Sequence, residues 1–150
     1  TTALTLARCF ADRGLRTLLV DTDPQGSIAI ALRLKPRYYL SDFIGGQIPL
    51  PDSVVPAAAN VDFLAGNRET TAMEQRIFSM YGRERVLERA FQPYANSYDM
   101  LLVDVAPSIS LVQACAMVLC GNVLIPVSMD TLSVSGAGAT VLSAQTISDG

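Results

Sequence analysis

The sequence predicts an α/β protein whose doubly wound, mostly parallel sheet carries helices on both faces. Three short apolar runs without polar alternation, at residues 17–20, 100–103 and 123–127, are typical of strands buried on both faces, as in parallel sheets. Segments with apolar residues at helical spacing separate these runs. Strands that alternate with helices in this way indicate an open sheet built from crossover connections.

The first half of the chain begins with a predicted helix at residues 1–13, which a glycine terminates. The first buried strand follows at 17–20, and residues 28–33 have the pattern of a short helix. Residues 34–60 are rich in proline and contain two adjacent glycines. This composition predicts a loop-rich excursion around a short helix at 40–44.

The second half continues the alternation of strands and helices. Mixed charges at residues 83–89 indicate a solvated helix face rather than a patch that binds nucleic acid. The predicted elements are a weak strand at 61–64, one or two polar-faced helices within 69–95, strands at 100–103 and 123–127, and helices at 110–119 and 131–148.

Composition excludes several classes of protein. The 150 residues are 50% hydrophobic and 17% charged, which fits one globular domain and excludes a disordered tail. A net charge of -3 leaves no basic excess of the kind that nucleic-acid-binding domains carry. The longest apolar stretch, 114–127, is interrupted and is shorter than the roughly 20 residues of a membrane-spanning helix. We therefore expect no membrane partner, and the absence of a signal-peptide pattern favours a cytoplasmic location.

The tetrapeptide Leu-Leu-Val-Asp occurs twice, at 18–21 and at 101–104, and each copy ends a predicted buried strand with a carboxylate. Ligands of open α/β sheets bind beyond the carboxyl ends of the strands, so Asp21, Asp23 and Asp104 are expected on one edge. Clustered carboxylates repel one another unless a cation lies among them, and Mg²⁺ suits such a site. A single aspartate at a strand end often only caps the next loop, but the repeated pattern favours a ligand site.

The start of the first predicted helix offers a position for a phosphate group, which the carboxylates themselves would repel. Thr1 and Thr2 lie where free backbone N–H groups and the helix dipole favour a phosphate group. Phosphate, magnesium and carboxylates at one edge of the sheet together imply a nucleotide site.

Three segments carry a resemblance to a known family. Residues 21–26, Asp-Thr-Asp-Pro-Gln-Gly, resemble the second signature of the ParA/Soj partition ATPases, a deviant Walker A P-loop group that also contains MinD. Residues 101–108 are similar to that family's Walker B segment, and residues 125–127 with Ser133 and Gly136 to the segment that follows it. The resemblance covers nearly the whole chain, and the Pro-Gln pair is fairly specific because MinD lacks it.

The resemblance implies a P-loop NTPase fold that uses ATP and Mg²⁺, with catalytic roles for Asp23 and Asp21. Asp23 would orient the water that attacks the γ-phosphate, and Asp21 would hold a water of the magnesium shell. Asp104 would be the Walker B carboxylate, which bonds a magnesium-bound water. Pro107, in the segment after Asp104, belongs to the nucleotide-binding residues that the resemblance implies.

Thr1 and Thr2 would be the end of the family's Gly-Lys-Ser/Thr-Thr loop. An alignment without gaps makes Thr1 the second residue after the P-loop lysine, so the hydroxyl that binds magnesium would belong to the preceding residue. A shift by one residue would make Thr1 itself the magnesium ligand. Lys35, the only lysine of the chain, precedes a proline in a loop after the wrong strand and is no candidate for the phosphate lysine.

The resemblance therefore implies a single partial domain over residues 1–150. It would start just after the P-loop lysine and stop before the adenine-contacting and C-terminal segments. The strand that leads into the P-loop would lie between strands 100–103 and 123–127. We accordingly expect strand 17–20 to pair in parallel with 100–103, and no direct ladder between 100–103 and 123–127.

As a function, the resemblance implies an ATP-hydrolysing partition protein that segregates DNA or positions another cargo. It would form an ATP-dependent homodimer, bind DNA nonspecifically through parts outside this chain, and be stimulated by a ParB-like partner. One alternative is a phosphatase of the haloacid dehalogenase type, with Asp21 as nucleophile and Asp23 as acid/base, although it needs a lysine at a later strand end. The other is a non-catalytic interaction domain that keeps the fold.

Overall fold

The computed structural model describes residues 2–106, 110–128, 136–138, 140–142 and 144–145. Strands are separated by groups of two or three helices along most of these residues, as the sequence predicts, and β2 and β3 follow each other directly. In chain order the elements are α1 (Thr2–Ala11), β1 (Thr17–Asp21), α2 (Ser27–Ala31), α3 (Leu40–Ile44), α4 (Leu50–Ser53), β2 (Val55–Ala58), β3 (Val61–Leu64), α5 (Glu69–Phe78), α6 (Val86–Phe91), β4 (Met100–Asp104) and α7 (Leu111–Cys120).

The strands of the described residues form one sheet in the order β2-β3-β1-β4. β1 pairs in parallel with both β3 and β4, whereas β2 pairs antiparallel with β3. The sheet is therefore mostly parallel. The expected parallel pairing of residues 17–20 with 100–103 is confirmed, since Leu18 lies beside Leu101 and Val20 beside Val103.

Helices cover both faces of β1, which explains why the run at 17–20 is entirely apolar after Thr17. Leu19 packs in a cluster with Ala7 of α1 and Ile28 of α2. Leu18 and Val20 point to the opposite face, because side chains alternate along a strand, and there they join a cluster with side chains of α3, α5, α6 and α7. The predicted doubly wound architecture is confirmed.

Most predicted helices are present with slightly shifted ends. The helix at 40–44 has its predicted bounds, whereas α1 ends at Ala11 and α2 ends at Ala31. Two helices, α5 and α6, lie within 69–95, and a 3₁₀ turn at Arg83–Arg85 precedes α6. None of the described helices is both long enough and apolar enough to cross a bilayer.

The loop-rich excursion contains a strand that the sequence analysis does not predict. β2 is an antiparallel strand at the edge of the described sheet, and its pairing shifts register between Pro56 and Ala58. Pro56 conceals the strand pattern, because proline cannot donate to a ladder and is tolerated only at such edges. Asn60 has a φ of 58° and turns the chain from β2 into β3.

The prediction that residues 100–103 are fully buried on both faces is wrong about the extent of their burial. All five residues of β4 are only partly buried. The reason is position: among the described residues β4 has a strand neighbour, β1, on one side only. An apolar run of this kind does not by itself distinguish a central strand from the outer strand of the described sheet.

The prediction of a strand at 123–127 is wrong. Residues 122–128 have no regular secondary structure and are mostly exposed to solvent. No described strand pairs with them, and an extended segment without a partner cannot satisfy its backbone groups in a ladder. Because residues 123–127 form no strand in the described structure, the expected place of this segment in the sheet order stays a prediction. Of the predicted helix at 131–148, the described residues are helical, and the others lie outside the described residues.

Candidate functional site

The carboxyl ends of β1 and β4 bring two aspartates side by side. Asp21 and Asp104 are paired in register at the last position of each strand, and neighbouring strands lie about 4.8 Å apart. Thr22 continues the pairing, because its backbone N–H and its Oγ1 both donate to the carbonyl oxygen of Asp104, at 3.0 and 2.9 Å. The two predicted strand-end carboxylates thus lie together on one edge.

Asp21 is almost fully buried, with 1% of its surface exposed. Its Oδ1 accepts a 2.9 Å hydrogen bond from the backbone N–H of Asp23. Its Oδ2 is buried and has no hydrogen-bond partner among the described residues. Burial raises the pKa of Asp21 to about 6; the backbone N–H groups of Asp23 and Ile28 oppose this rise, and the charges of Asp104 and Asp23 add to it. Among the residues that the structure describes, no cationic side chain pairs with this carboxylate.

This raised pKa predicts a pH dependence of stability in the protein free of nucleotide and magnesium. The pKa of Asp21 is about 6 when folded against an ordinary 3.8, so the folded state holds the proton more tightly than the unfolded chain. The free energy of unfolding should therefore fall as pH rises through this window, by on the order of 3 kcal/mol, and level off above it. Chemical denaturation at pH 4 to 8 measures this.

The matched variants for this measurement are Asp21→Asn and Asp12→Asn. Asp21→Asn should remove the fall in stability, because the amide does not titrate. Asp12 is exposed just after α1, and its variant should keep the parental curve. A parental pH dependence in Asp21→Asn would show that the Asp21 carboxyl is not the titrating group.

Asp23 lies in a turn that starts directly after β1. Its Oδ1 accepts a 2.8 Å hydrogen bond from the backbone N–H of Gln25, and its carbonyl oxygen accepts one from Gly26 at 3.0 Å. Side-chain capping of a turn by aspartate fixes the backbone locally. Asp23 is half-buried, so its carboxylate stays accessible next to Asp21.

Gly66, which the sequence analysis does not single out, closes this edge from the side of β3. A Cβ atom at Gly66 would lie 2.6 Å from the carbonyl oxygen of Asp21 and 2.8 Å from that of Asp23. A Cβ at Gly26, whose φ is +60°, would lie 2.9 Å from the carbonyl oxygen of Gly66. Only glycine permits this approach. The sequence feature that could have identified Gly66 is its place shortly after the predicted strand at 61–64.

The remaining predicted site residues lie at the margins of the described structure. Thr2 is exposed and begins α1. Thr1, Pro107 and Ser133 lie outside the described residues. Their proposed roles therefore remain predictions.

Asp21, Asp23 and Asp104 form what we call the carboxylate edge, which fits a hydrated divalent cation better than one bound by protein ligands alone. Among the described residues, no three His, Cys, Asp or Glu side chains form a group that could hold a metal. The buried Asp21 Oδ2 and the adjacent Asp104 can instead accept hydrogen bonds from waters of a Mg²⁺ shell, and Mg²⁺ usually keeps several waters.

A groove of about 740 Å³ lies away from the three aspartates. Leu18 and Leu101, the second residues of β1 and β4, line it together with Tyr94 and Tyr98. It contains none of the three aspartates. Its size alone is no argument for the chemistry, because the paired carboxylates lie at the opposite ends of the same strands.

Comparisons with known proteins agree with this arrangement. A family model described as "AAA domain" (AAA_31) matches residues 1–149. Over 145 residues the chain is 30% identical to "Chromosome partitioning protein ParA" of Myxococcus xanthus, which covers 91% of this chain and 50% of that protein. Over 140 residues it is 27% identical to "Sporulation initiation inhibitor protein Soj" of Bacillus subtilis, with 91% and 55% covered. The chain thus spans about half the length of these curated relatives.

A solved structure gives the same fold. It is described as "Cobyrinic Acid a,c-diamide synthase from Mycobacterium smegmatis with bound ATP analog and Magnesium", and it superposes with a TM-score of 0.91 at 22% identity. The superposition covers 99% of this chain and 62% of that one. At this identity the likeness concerns the fold alone, which is that of the P-loop NTPases. Because the family model matches nearly every residue, the chain belongs to the AAA domain family, and it is similar to relatives named ParA and Soj.

Proposed function

We propose that the full-length protein binds ATP with Mg²⁺ and hydrolyses it at the carboxylate edge, as a partition protein that segregates DNA or positions another cargo. The observation that carries this proposal is the in-register pair of Asp21 and Asp104, with Asp21 Oδ2 buried and lacking a described partner. Relatives named ParA and Soj support the cellular role.

Each aspartate has a distinct role in this proposal. Bound Mg²⁺ neutralises charge on the phosphate oxygens, which is its usual contribution to phosphoryl transfer. Asp21 and Asp104 would hold waters of its shell, and a hydroxyl from Thr1 or the residue before it would be a direct ligand. Asp23, fixed by its turn and accessible beside Asp21, orients the attacking water. Thr2 and Pro107 contact the nucleotide.

Catalysis in this proposal depends on positioning and charge rather than on covalent chemistry. The carboxylate edge supplies only negative side chains, so the positive groups that bind the phosphates must come from another segment. Lys35 is no candidate for the phosphate lysine, because it precedes a proline in the connection between α2 and α3 and not the start of α1. We therefore propose that residues 1–150 form a partial P-loop NTPase domain. The glycine-rich loop and its lysine would precede Thr1.

The same lysine argument disfavours a haloacid dehalogenase-type phosphatase. That mechanism needs a lysine at the end of a later strand, and Lys35 follows β1 and precedes β2.

The proposed protein works in the cytoplasm as an ATP-dependent homodimer. It binds DNA nonspecifically through parts outside this chain and is stimulated by a ParB-like protein.

Phosphate release from ATP by the full-length protein tests this function. We expect slow hydrolysis that requires Mg²⁺ and stops when EDTA is added. DNA and the partner protein should raise the rate. Retained partner binding without any Mg²⁺-dependent hydrolysis would instead indicate the non-catalytic interaction domain.

A further inference from the structure

Glu74, which no role described above uses, connects α5 to the start of α7. Its Oε1 accepts hydrogen bonds from the backbone N–H groups of Leu111 and Val112, at 2.6 and 3.3 Å. Ser110 Oγ accepts the next N–H, that of Gln113, at 3.1 Å. The first N–H groups of a helix have no partner within the helix. Here, side chains satisfy three of them: Glu74 accepts two from another helix, and Ser110 accepts the third.

The position of Glu74 relates it to the carboxylate edge. A small cavity of about 50 Å³ lies beside it and is also lined by Thr22, Pro24 and Ala106. Thr22 is the residue bonded twice to the carbonyl oxygen of Asp104, and Pro24 follows Asp23 directly. The Glu74 carboxylate therefore lies next to both loops that leave the carboxylate edge.

The amino end of α5 touches the same edge by a second route. Thr70 Oγ1 accepts a hydrogen bond from the backbone N–H of Asn67, at 3.4 Å. Asn67 follows Gly66, which packs against the carbonyl oxygens of Asp21 and Asp23. One helix thus bonds to the segment that lies beside the Asp21 loop, through Thr70, and to the start of α7, through Glu74.

The charge of Glu74 suits this task. A carboxylate at a helix N-terminus is stabilised by the helix dipole, and hydrogen bonds to a charged acceptor are stronger than neutral ones. An alanine at this position would leave two N–H groups of α7 without their acceptor. A glutamine would keep an oxygen acceptor at the same distance from α5 and lose only the charge.

We infer that Glu74 is a positioning residue for the proposed ATPase reaction. By fixing the start of α7 against α5, it keeps Asp104, at the end of the preceding strand, aligned with Asp21. This inference rests on the proposed function, because it assigns a role in that same site. A purely structural cap would instead change stability and leave the turnover of the folded protein unchanged.

The test compares Glu74→Ala, Glu74→Gln and the control Glu69→Ala in the full-length protein. Glu69 is an exposed carboxylate on the same helix. The measurements are kcat and KM for Mg²⁺-dependent ATP hydrolysis, and hydrogen exchange of the Leu111 and Val112 amides. We expect Glu74→Ala to lower kcat by about tenfold or more and to change KM by less than about twofold. Exchange should be faster at both amides, Glu74→Gln should recover most of kcat, and Glu69→Ala should match the parent.

Parental kcat in folded Glu74→Ala, with faster exchange at Leu111 and Val112, would overturn the inference and leave the proposed function intact. If Glu74→Ala does not fold, Glu74→Asp takes its place. Aspartate keeps the negative charge, but its side chain is one methylene group shorter, so the carboxylate lies farther from the backbone N–H groups of α7. The same loss of kcat is expected, and parental kcat would overturn the inference. An unsubstituted protein without ATPase activity would contradict the proposed function itself and, with it, the reaction that Glu74 is inferred to serve.

Discussion

Replacing Asp23 by alanine in the full-length protein should lower the turnover number for ATP hydrolysis by about 100-fold or more. ATP affinity should change little, because the lost carboxylate acts on the attacking water and not on the nucleotide. Asp23 is suited to this role since its turn fixes it beside Asp21 while leaving it half-buried and accessible. The ATP-bound dimer of the variant should persist, because hydrolysis no longer ends it.

The measurements are phosphate release under saturating ATP and the equilibrium binding of a fluorescent ATP analogue. Asp12→Ala is the matched control. Asp12 follows α1 and precedes β1, so it lies towards the amino ends of the strands, away from the carboxylate edge. Hydrolysis at the parental rate in Asp23→Ala would remove Asp23 from catalysis. Loss of nucleotide binding together with activity would indicate that Asp23 holds the nucleotide instead.

Residues 1–150 alone should bind Mg²⁺-ATP at least about 100-fold more weakly than a protein extended upstream through the P-loop. The backbone N–H groups and the lysine of such a loop supply most phosphate contacts in P-loop proteins. The carboxylate edge supplies only acidic side chains, which repel phosphate unless Mg²⁺ lies between them.

Binding of a fluorescent ATP analogue with Mg²⁺ to both proteins measures this difference. Lys35→Ala in the extended protein is the control, and it should keep the parental affinity because Lys35 is exposed between α2 and α3. Equal micromolar affinity of the two proteins would contradict the proposal that the phosphate-binding loop lies outside residues 1–150.

The parts of the fold that local pattern determines were predictable from the sequence. The apolar run at 17–20 indicates a strand covered on both faces, and Leu18 and Leu19 do pack into clusters on opposite faces of the sheet. The helix at 40–44 has its predicted bounds. The repeated Leu-Leu-Val-Asp predicts the in-register pair of Asp21 and Asp104, because parallel strands present their carboxyl ends on one edge.

Features that depend on distant partners could not be predicted in the same way. Residues 123–127 have the composition of a buried strand, but no described strand pairs with them. Pro56 conceals β2, whose only described strand partner is β3. Glu74 acts through contacts with residues far along the chain, and no local pattern marks it. Gly66 has only its place shortly after a predicted strand as a local signal, and the close approach that requires a glycine there depends on Asp21 and Asp23.

A structure of the full-length protein with a non-hydrolysable ATP analogue and Mg²⁺ would show whether the nucleotide binds at the carboxylate edge. We expect the phosphates and the ion beyond the carboxyl ends of β1 and β4, with magnesium-bound waters that donate hydrogen bonds to Asp21 Oδ2 and to the Asp104 carboxylate. A nucleotide bound instead in the groove that Tyr98 and Leu101 line, with no ion or water against Asp21, would contradict this expectation.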